Sequence, residues 1–146
     1  MTELKQLTPQ DVSSFEQLID IFREVFEHDS PMPPTDYLTN LLQKPDFKVF
    51  VAMQGATVIG GLTVHLLHSY YAQEQIAYIY DVGVHPAHQR QGVGKQLIAY
   101  LTDYCRANQI EEAYVEAETD DLQAVSFYQK TPYNNIMHAT HFTYFC

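Results

Sequence analysis

Apolar residues in the N-terminal third of the chain recur at helical spacing in two segments. The first segment follows Thr8-Pro9-Gln10-Asp11, where Thr8 is a preferred N-cap residue and Pro9 suits the first helical position. We predict a helix from here to about Glu27, with one apolar stripe made of Phe15, Leu18, Ile19, Phe22, Val25 and Phe26. Three prolines make residues 28–34 a loop. A second helix is predicted from about Thr35 to Gln43, before Lys44-Pro45-Asp46 stops it.

The remainder of the chain alternates between β-branched apolar runs and helical spacing. Strands from Phe47 to Met53 and from Thr57 to Leu67 are predicted to form a hairpin around Gln54-Gly55-Ala56. The other predicted elements are a strand from Ile76 to Val84, a helix from Gly92 to about Asn108, a strand from Ala113 to Ala117, a helix from about Leu122 to Lys130 and a last strand near Ile136 to Tyr144. The order ααββ-βα-βαβ indicates an α/β (α+β) protein.

Composition narrows the class of protein without assigning a reaction. With 146 residues, 46% of them hydrophobic, the chain is expected to form a single domain over residues 1–146. A formal charge of −10 argues against binding to nucleic acid or anionic membrane and suits a cationic ligand. Cys105 and Cys146 show no CxxC spacing, and no leader or membrane span is evident, so a reducing, cytoplasmic location is expected. The seven histidines lack metal-binding spacing, so no metal site is expected.

Candidate chemistry begins where the third strand ends, at Gln89-Arg90-Gln91-Gly92-Val93-Gly94. A strand, a loop with close glycines and a helix N-terminus can together present backbone N–H groups to a phosphate. Arg90 and Lys95 add positive charge there, against the overall sign of the chain. The loop has neither Walker A spacing nor a GxGxxG fingerprint, which argues against nucleotide hydrolysis and hydride transfer.

This loop resembles the motif of the GNAT acetyltransferase superfamily, in which Gln or Arg and any two residues precede Gly-x-Gly or Gly-x-Ala. Phe127-Tyr128-Gln129-Lys130 is similar to the FYxK segment of that superfamily. The resemblance implies a GNAT fold with a central, mixed, twisted sheet flanked by helices, and acetyl-CoA as cofactor. It implies that the pyrophosphate lies on Gln89, Arg90, Gln91, Gly92, Val93, Gly94 and Lys95. The pantetheine arm would pair with Val82, Gly83 and Val84 on a strand splayed by a bulge, to which Gly83 is suited.

Within the superfamily the chain looks like the type I aminoglycoside 3-N-acetyltransferases. The similar segments are residues 36–42, residues 78–84, the run His88 to Gly92, residues 114–118, Asp121, residues 124–130 and Met137-His138. The chain departs from them at Thr131-Pro132 and over residues 119–122. The implied function is transfer of acetyl to the 3-amino group of an aminoglycoside, with antibiotic resistance as its consequence and a homodimer as the assembly.

The acids near the predicted open end of the sheet suit a polycationic amine. The candidate substrate-binding residues are Tyr80, Asp81, Glu116, Glu118, Asp120 and Asp121. Asp120 and Asp121 can instead cap the helix that follows them. An acid within an apolar strand needs a partner or a cleft, and for Asp81 we favour the cleft.

The expected reaction is direct attack of the amine on the thioester, without a covalent enzyme intermediate. Asp81 is the candidate general base, and a backbone N–H near Val82 is expected to stabilise the carbonyl oxygen. By the resemblance, Tyr128 protonates the departing thiolate, although its ring can also serve packing alone. The alternatives are an acetyltransferase acting on a polyamine, an amino acid or a protein amine, and a binding module that holds acetyl-CoA without catalysis.

Overall fold

The computed structural model describes residues 1–146 of the chain. Its strands are β1 (Glu3–Gln6), β2 (Phe47–Gln54), β3 (Thr57–His68), β4 (Gln75–Val84) and β5 (Glu112–Val115). Its helices are α1 (Val12–Val25), α2 (Thr35–Gln43), α3 (Val93–Ala107) and α4 (Leu122–Gln129). The predicted elements from α1 to α4 are therefore confirmed in type and order, with ends that shift by a few residues.

The five strands form one sheet in the order β1-β2-β3-β4-β5. Neighbours from β1 to β4 pair antiparallel, whereas β4 and β5 pair parallel, so the predicted mixed sheet is confirmed. One strand was not predicted from the sequence, and one predicted strand does not form. Glu3–Gln6 pairs with β2 although its sequence has no apolar alternation, and residues 136–144 form no strand because they pair with none of the five.

The helices cover the two faces of the sheet and divide the core in two. On one face, Phe15, Leu18 and Phe22 of α1 and Leu38 of α2 pack with buried side chains of β2 such as Val49. On the other face, α3 buries Val93, Leu97, Leu101 and Cys105 against Phe50, Leu62, Val64, Ala77 and Ile79. Apolar stripes at helical spacing thus face a sheet whose alternate residues point to opposite sides.

Glycines in β3 and β4 let α1 approach the sheet closely. Gly61 and Gly83 are opposite one another across the two strands. A Cβ atom on Gly61 would lie 2.7 Å from Leu18 Cδ1, and one on Gly83 would lie 2.8 Å from Phe22 Cδ1. Gly83 is therefore needed for packing against α1, and the prediction that it accommodates a bulge was wrong, since the register shift in this pair lies between Thr63 and Val64.

Replacing Gly83 with alanine is expected to destabilise the protein. The new methyl group must displace the Phe22 ring, and overpacking of this kind costs about 2 kcal/mol. In a chain of this size that loss lowers the Tm by ~6 °C in thermal unfolding. The double variant Gly83→Ala/Phe22→Leu provides the control, because a smaller side chain at 22 relieves the overlap and makes the two effects less than additive. An unchanged Tm in Gly83→Ala would contradict the packing role.

The chain divides into two compact units, residues 1–116 and residues 117–146. The first contains the whole sheet with α1, α2 and α3, and the second contains α4 and the C-terminal segment. Apolar side chains of that segment are exposed, among them Ile136, Met137, Phe142, Tyr144 and Phe145. Homodimer formation stays a prediction. None of the helices is long and apolar enough to span a bilayer.

Candidate active site

The sheet opens between β4 and β5. The two strands pair from Ile76 opposite Glu112 to Ile79 opposite Val115, and β4 then continues to Val84 without β5 beside it. At the same point the register between β3 and β4 shifts, because Thr63 is opposite Asp81 whereas Val64 is opposite Ile79. Tyr80 is therefore the extra residue of a bulge, which bends a strand and ends regular pairing. The strand is therefore splayed by a bulge, as predicted, but the bulge lies at Tyr80, three residues before Gly83.

Backbone groups of Val82 and Val84 point toward this opening. The His85 N–H donates to the Ile59 carbonyl oxygen at 2.8 Å, which makes these two residues a hydrogen-bonded pair across β3 and β4. Hydrogen-bonded and non-hydrogen-bonded pairs alternate along an antiparallel ladder, so Val82 and Val84 belong to the pairs that do not bond to β3. Their N–H and C=O groups thus face the side on which β5 is missing.

The loop after β4 has the backbone geometry of an anion site. Arg90 has a φ of 62° and Gly92 a φ of 83°, so both are in the left-handed region. A non-glycine residue there stores strain of about 1 kcal/mol, which is typical of functional turns. Gly92 is the N-cap of α3 and no side chain caps this end, so the first N–H groups of the helix remain available to a ligand.

The polar side chains of the loop have different environments. Arg90 and Lys95 are exposed, so their charges can reach an anion at the start of α3. Gln91 is exposed, whereas Val93 and Gly94 are buried in the first turn of the helix. The Gln89 side-chain amide donates to the Val84 carbonyl oxygen at 2.9 Å and so fastens the loop to the end of β4. Sequence reasoning assigned Gln89 to the ligand and did not foresee this structural bond.

These features fit the two parts of coenzyme A that a protein backbone can recognise. The uncapped N-terminus of α3 suits the pyrophosphate, because its N–H groups and dipole favour an anion. The backbone N–H and C=O of Val82 and the N–H of Val84 suit the amide groups of the pantetheine arm, which can pair with a strand as a neighbouring strand would. The Val84 carbonyl oxygen already accepts a hydrogen bond from Gln89.

Asp81 is half-buried beside the bulge and faces the side of the sheet that carries α1 and α2. Burial raises the pKa of its carboxyl group, while positive charge on His28 acts in the opposite direction. The neighbouring residue on β3, Thr63, is a buried polar residue. A half-buried carboxylate with a raised pKa is a better proton acceptor than an ordinary aspartate, which is the property expected of a general base.

Glu116 and Tyr80, both predicted to bind substrate, lie with two tyrosines that sequence reasoning missed. The Tyr78 hydroxyl donates to Glu116 Oε1 at 3.2 Å, and the Tyr78 ring stacks on Tyr114 with centroids 4.8 Å apart. Tyr80 is 59% exposed and lies edge-on to Tyr78. The signal was the period of two in Tyr78-x-Tyr80 and Tyr114-x-Glu116, because residues two apart lie on the same side of an extended backbone.

The other predicted residues belong to the C-terminal unit, residues 117–146. Asp121 Oδ1 accepts a hydrogen bond from the Ala124 N–H at 3.1 Å, so the capping alternative is confirmed for Asp121. Glu118 and Asp120 are exposed. Tyr128 lies in α4, half-buried, with its ring centroid 5.0 Å from that of Phe127. Roles for these four residues in substrate binding or catalysis stay predictions.

Comparison with known proteins identifies the class to which this fold and loop belong. The chain belongs to the acetyltransferase (GNAT) family, whose family model matches residues 15–131. Among curated proteins, N-alpha-acetyltransferase RimI of Mycobacterium tuberculosis is 26% identical over 113 residues, which cover 77% of this chain and 68% of that protein. The protein is therefore an acetyl-CoA-dependent N-acetyltransferase.

Solved structures give a more specific likeness. An aminoglycoside acetyltransferase called meta-AAC0020, from an uncultured soil metagenomic sample, is 36% identical with a TM-score of 0.97 over 99% of this chain and 96% of its own. That enzyme was solved with trehalose and also with sisomicin. A second aminoglycoside acetyltransferase from such a sample, HMB0005, is 26% identical with a TM-score of 0.86, and the match covers 99% of each chain.

Proposed function

We propose that this acetyltransferase acts on aminoglycosides and transfers acetyl to the 3-amino group. The observation that carries the proposal is the likeness to meta-AAC0020, which extends over nearly all of both chains at 36% identity. The type I 3-N-acetyltransferase motifs, such as Tyr78 to Val84, favour the 3-amino position. Acetylation replaces an ammonium group with a neutral amide, which weakens an aminoglycoside's attraction to any anionic target, so antibiotic resistance is the expected consequence.

The electrostatics of the chain support a polycationic acceptor. Its formal charge is −10. Asp81 lies on β4 and Glu116 directly follows β5, and these two strands border the opening of the sheet. A negative cleft concentrates cationic ligands and accelerates their association, an effect that falls with salt. We include Tyr80, Glu118, Asp120 and Asp121 among the proposed substrate-binding residues, on the basis of the motif resemblance.

The proposed coenzyme site has two parts. Gln89, Arg90, Gln91, Gly92, Val93, Gly94 and Lys95 would hold the pyrophosphate, and Val82, Gly83 and Val84 would flank the pantetheine arm. The support for the first part is the uncapped N-terminus of α3, and the support for the second is the end of β4 beside which β5 is missing. Gln89 would act there by holding the loop on Val84, because its amide group already donates to that carbonyl oxygen.

Three groups of the chain would carry the chemistry of acetyl transfer. Bound acetyl-CoA supplies the thioester whose acetyl group is transferred. Asp81 would accept the proton that the amine loses, either directly or through a water molecule. The Val82 N–H would donate to the carbonyl oxygen as negative charge develops on it, and the Tyr128 hydroxyl would give its proton to the departing sulfur.

The test is release of coenzyme A thiol from acetyl-CoA in the presence of candidate acceptors. We expect turnover with sisomicin and other aminoglycosides, with the product identified by mass and the acetylated nitrogen located by NMR. Spermidine serves as the linear polyamine control. If spermidine is acetylated and no aminoglycoside is, the aminoglycoside proposal is contradicted. Binding of acetyl-CoA without turnover of any amine would favour the non-catalytic binding module.

A second candidate function is acetylation of a protein N-terminus. The similarity to RimI, at 26% identity over 77% of this chain, favours it. Peptides with different N-terminal residues are therefore included in the same assay. A kcat/KM for a peptide that exceeds the value for every aminoglycoside would select this candidate instead.

A further inference from the structure

A row of aromatic rings crosses three strands where the sheet opens. The His65 ring of β3 lies 5.6 Å from the Tyr80 ring of β4 at an interplanar angle of 83°, and Tyr80 lies 6.0 Å from Tyr78 at 86°. Tyr78 in turn stacks on Tyr114 of β5 at 4.8 Å and 16°. We call these four residues the aromatic shelf. Each ring contacts the next one at a distance typical of favourable aromatic pairs.

The aromatic shelf continues the buried core of α1 and α2 onto the surface. Its inner end is closed by Phe47, whose ring lies 5.1 Å from His65 and which is itself buried. Beyond His65 the rings become accessible, because Tyr80 of β4 is 59% exposed and Tyr114 of β5 is 36% exposed. A row of aromatic rings on a sheet is already ordered, so a ligand that packs on it pays little to immobilise side chains.

One edge of the aromatic shelf is negatively charged. The Tyr78 hydroxyl donates to Glu116 Oε1 at 3.2 Å, and Glu116 forms no ion pair within the chain. The faces of tyrosine rings attract cations, and an unpaired carboxylate beside them attracts the same cation. Aromatic faces and a carboxylate on one surface therefore suit an ammonium group carried on an apolar ring.

We propose that the aromatic shelf and Glu116 bind a protonated amino-sugar ring of the acceptor, and that Tyr78 is a positioning residue that orients the Glu116 carboxylate toward it. The inference rests on the proposed function as an acetyltransferase of cationic amines. The C–H face of such a ring packs on Tyr78, Tyr80 and Tyr114, while its ammonium group contacts Glu116. A linear polyamine provides the charge without the broad apolar face, so it gains less from the rings.

The experiment measures binding of sisomicin and of spermidine by calorimetry, to the wild-type protein and to variants. Glu116→Gln is expected to raise the Kd for sisomicin about ten-fold, because it removes a charge-assisted contact. Tyr78→Phe keeps the stacked ring and removes only the hydroxyl, so a rise of about three-fold is expected. In the double variant Glu116→Gln/Tyr78→Phe, the Tyr78 change should not raise the Kd for sisomicin any further, because Tyr78 acts through Glu116. Tyr80→Ala should raise the Kd for sisomicin by a larger factor than the Kd for spermidine.

Tyr104→Phe is the matched control, because Tyr104 packs edge-on against Phe50 on the α3 face of the sheet. An unchanged Kd for sisomicin in both Glu116→Gln and Tyr78→Phe would overturn the proposal, and additive effects in the double variant would overturn the positioning role of Tyr78. If neither amine binds the wild-type protein, the shelf is not a cation site. If sisomicin binds with the expected pattern of Kd values in the variants but is not acetylated, the result supports the binding site and contradicts the aminoglycoside acetyltransferase function. A failure of the binding site is therefore distinguishable from a failure of the proposed function.

Discussion

Asp81→Asn is expected to lower kcat/KM for the amine acceptor by about 10²-fold or more, since a positioned general base contributes on that order. Asparagine has nearly the same shape as aspartate and cannot accept the proton. The affinity for acetyl-CoA should stay unchanged, because the proposed coenzyme contacts lie on the backbone of β4 and on the loop before α3. The measurement is thiol release at saturating acetyl-CoA with the acceptor varied.

The pH dependence of the wild-type rate gives a second readout for Asp81. Burial raises the pKa of the Asp81 carboxyl group, so this side chain takes up its proton at a higher pH than an ordinary aspartate does. The wild-type rate should therefore fall as the pH drops through that raised pKa, above the ordinary value of about 3.9. The Asn variant should lose this acidic limb and keep the limb due to deprotonation of the acceptor amine.

Unfolding does not explain the expected loss, because Asp81→Asn should be at least as stable as the wild type at neutral pH. A folded-state pKa above the unfolded value means that folding favours the protonated acid. The stabilisation that comes from the protonated Asp81 carboxyl group is complete below the pKa of Asp81 in the unfolded chain. It is lost as the pH rises through the pKa of Asp81 in the folded protein. At pH 7 the ionised carboxylate is therefore a cost, and its removal should leave the Tm equal or higher.

Asp103→Asn is the matched control for the Asp81 variant. Asp103 is an exposed acid on α3 whose carboxylate pairs with Arg106 at 2.9 Å, and exposed pairs of this kind contribute little. Its rate and its Tm should match those of the wild type. If Asp81→Asn keeps its kcat/KM within about three-fold of the wild type, the magnitude is too small for a general base, and Glu116 becomes the next candidate.

Tyr128→Phe is expected to lower kcat by about ten- to a hundred-fold while leaving KM for acetyl-CoA and for the amine nearly unchanged. A general acid is needed only while the sulfur departs, so its loss affects the transition state and not ground-state binding. A thiol with a pKa of about 8.5 can leave as a thiolate unaided, which limits the size of the effect. Steady-state kinetics with each substrate varied in turn measures both parameters.

Tyr133→Phe is the control for Tyr128→Phe, since Tyr133 is an exposed tyrosine of the same C-terminal unit. Its kinetics should equal those of the wild type. A KM increase without a change in kcat in Tyr128→Phe would assign Tyr128 to binding, and unchanged kinetics would leave the Tyr128 ring with a packing role beside Phe127.

The agreement between sequence and structure depends on how local each signal is. The helix predicted from about Thr35 to Gln43 is confirmed with these bounds, because Pro34 before it and Lys44-Pro45 after it act on the backbone of adjacent residues. Strand β1 was missed because Glu3–Gln6 becomes a strand only by pairing with residues 50–53. The prediction of a strand near residues 136–144 was wrong for the converse reason. These residues have β-propensity, but β-propensity alone does not provide a strand to pair with.

The sequence by itself determined the glycine loop at the start of α3 and the order of the elements on either side of that loop. These two features were enough to indicate the family. They could be predicted because backbone conformation near glycine and proline is a local property. Only the tertiary structure decided which side chains meet. It assigned Gly83 to the packing of Phe22, located the bulge at Tyr80, and joined Tyr78 on β4 to Glu116 beyond β5. These relations depend on strand register across distant segments, and register follows from the packing of the whole sheet.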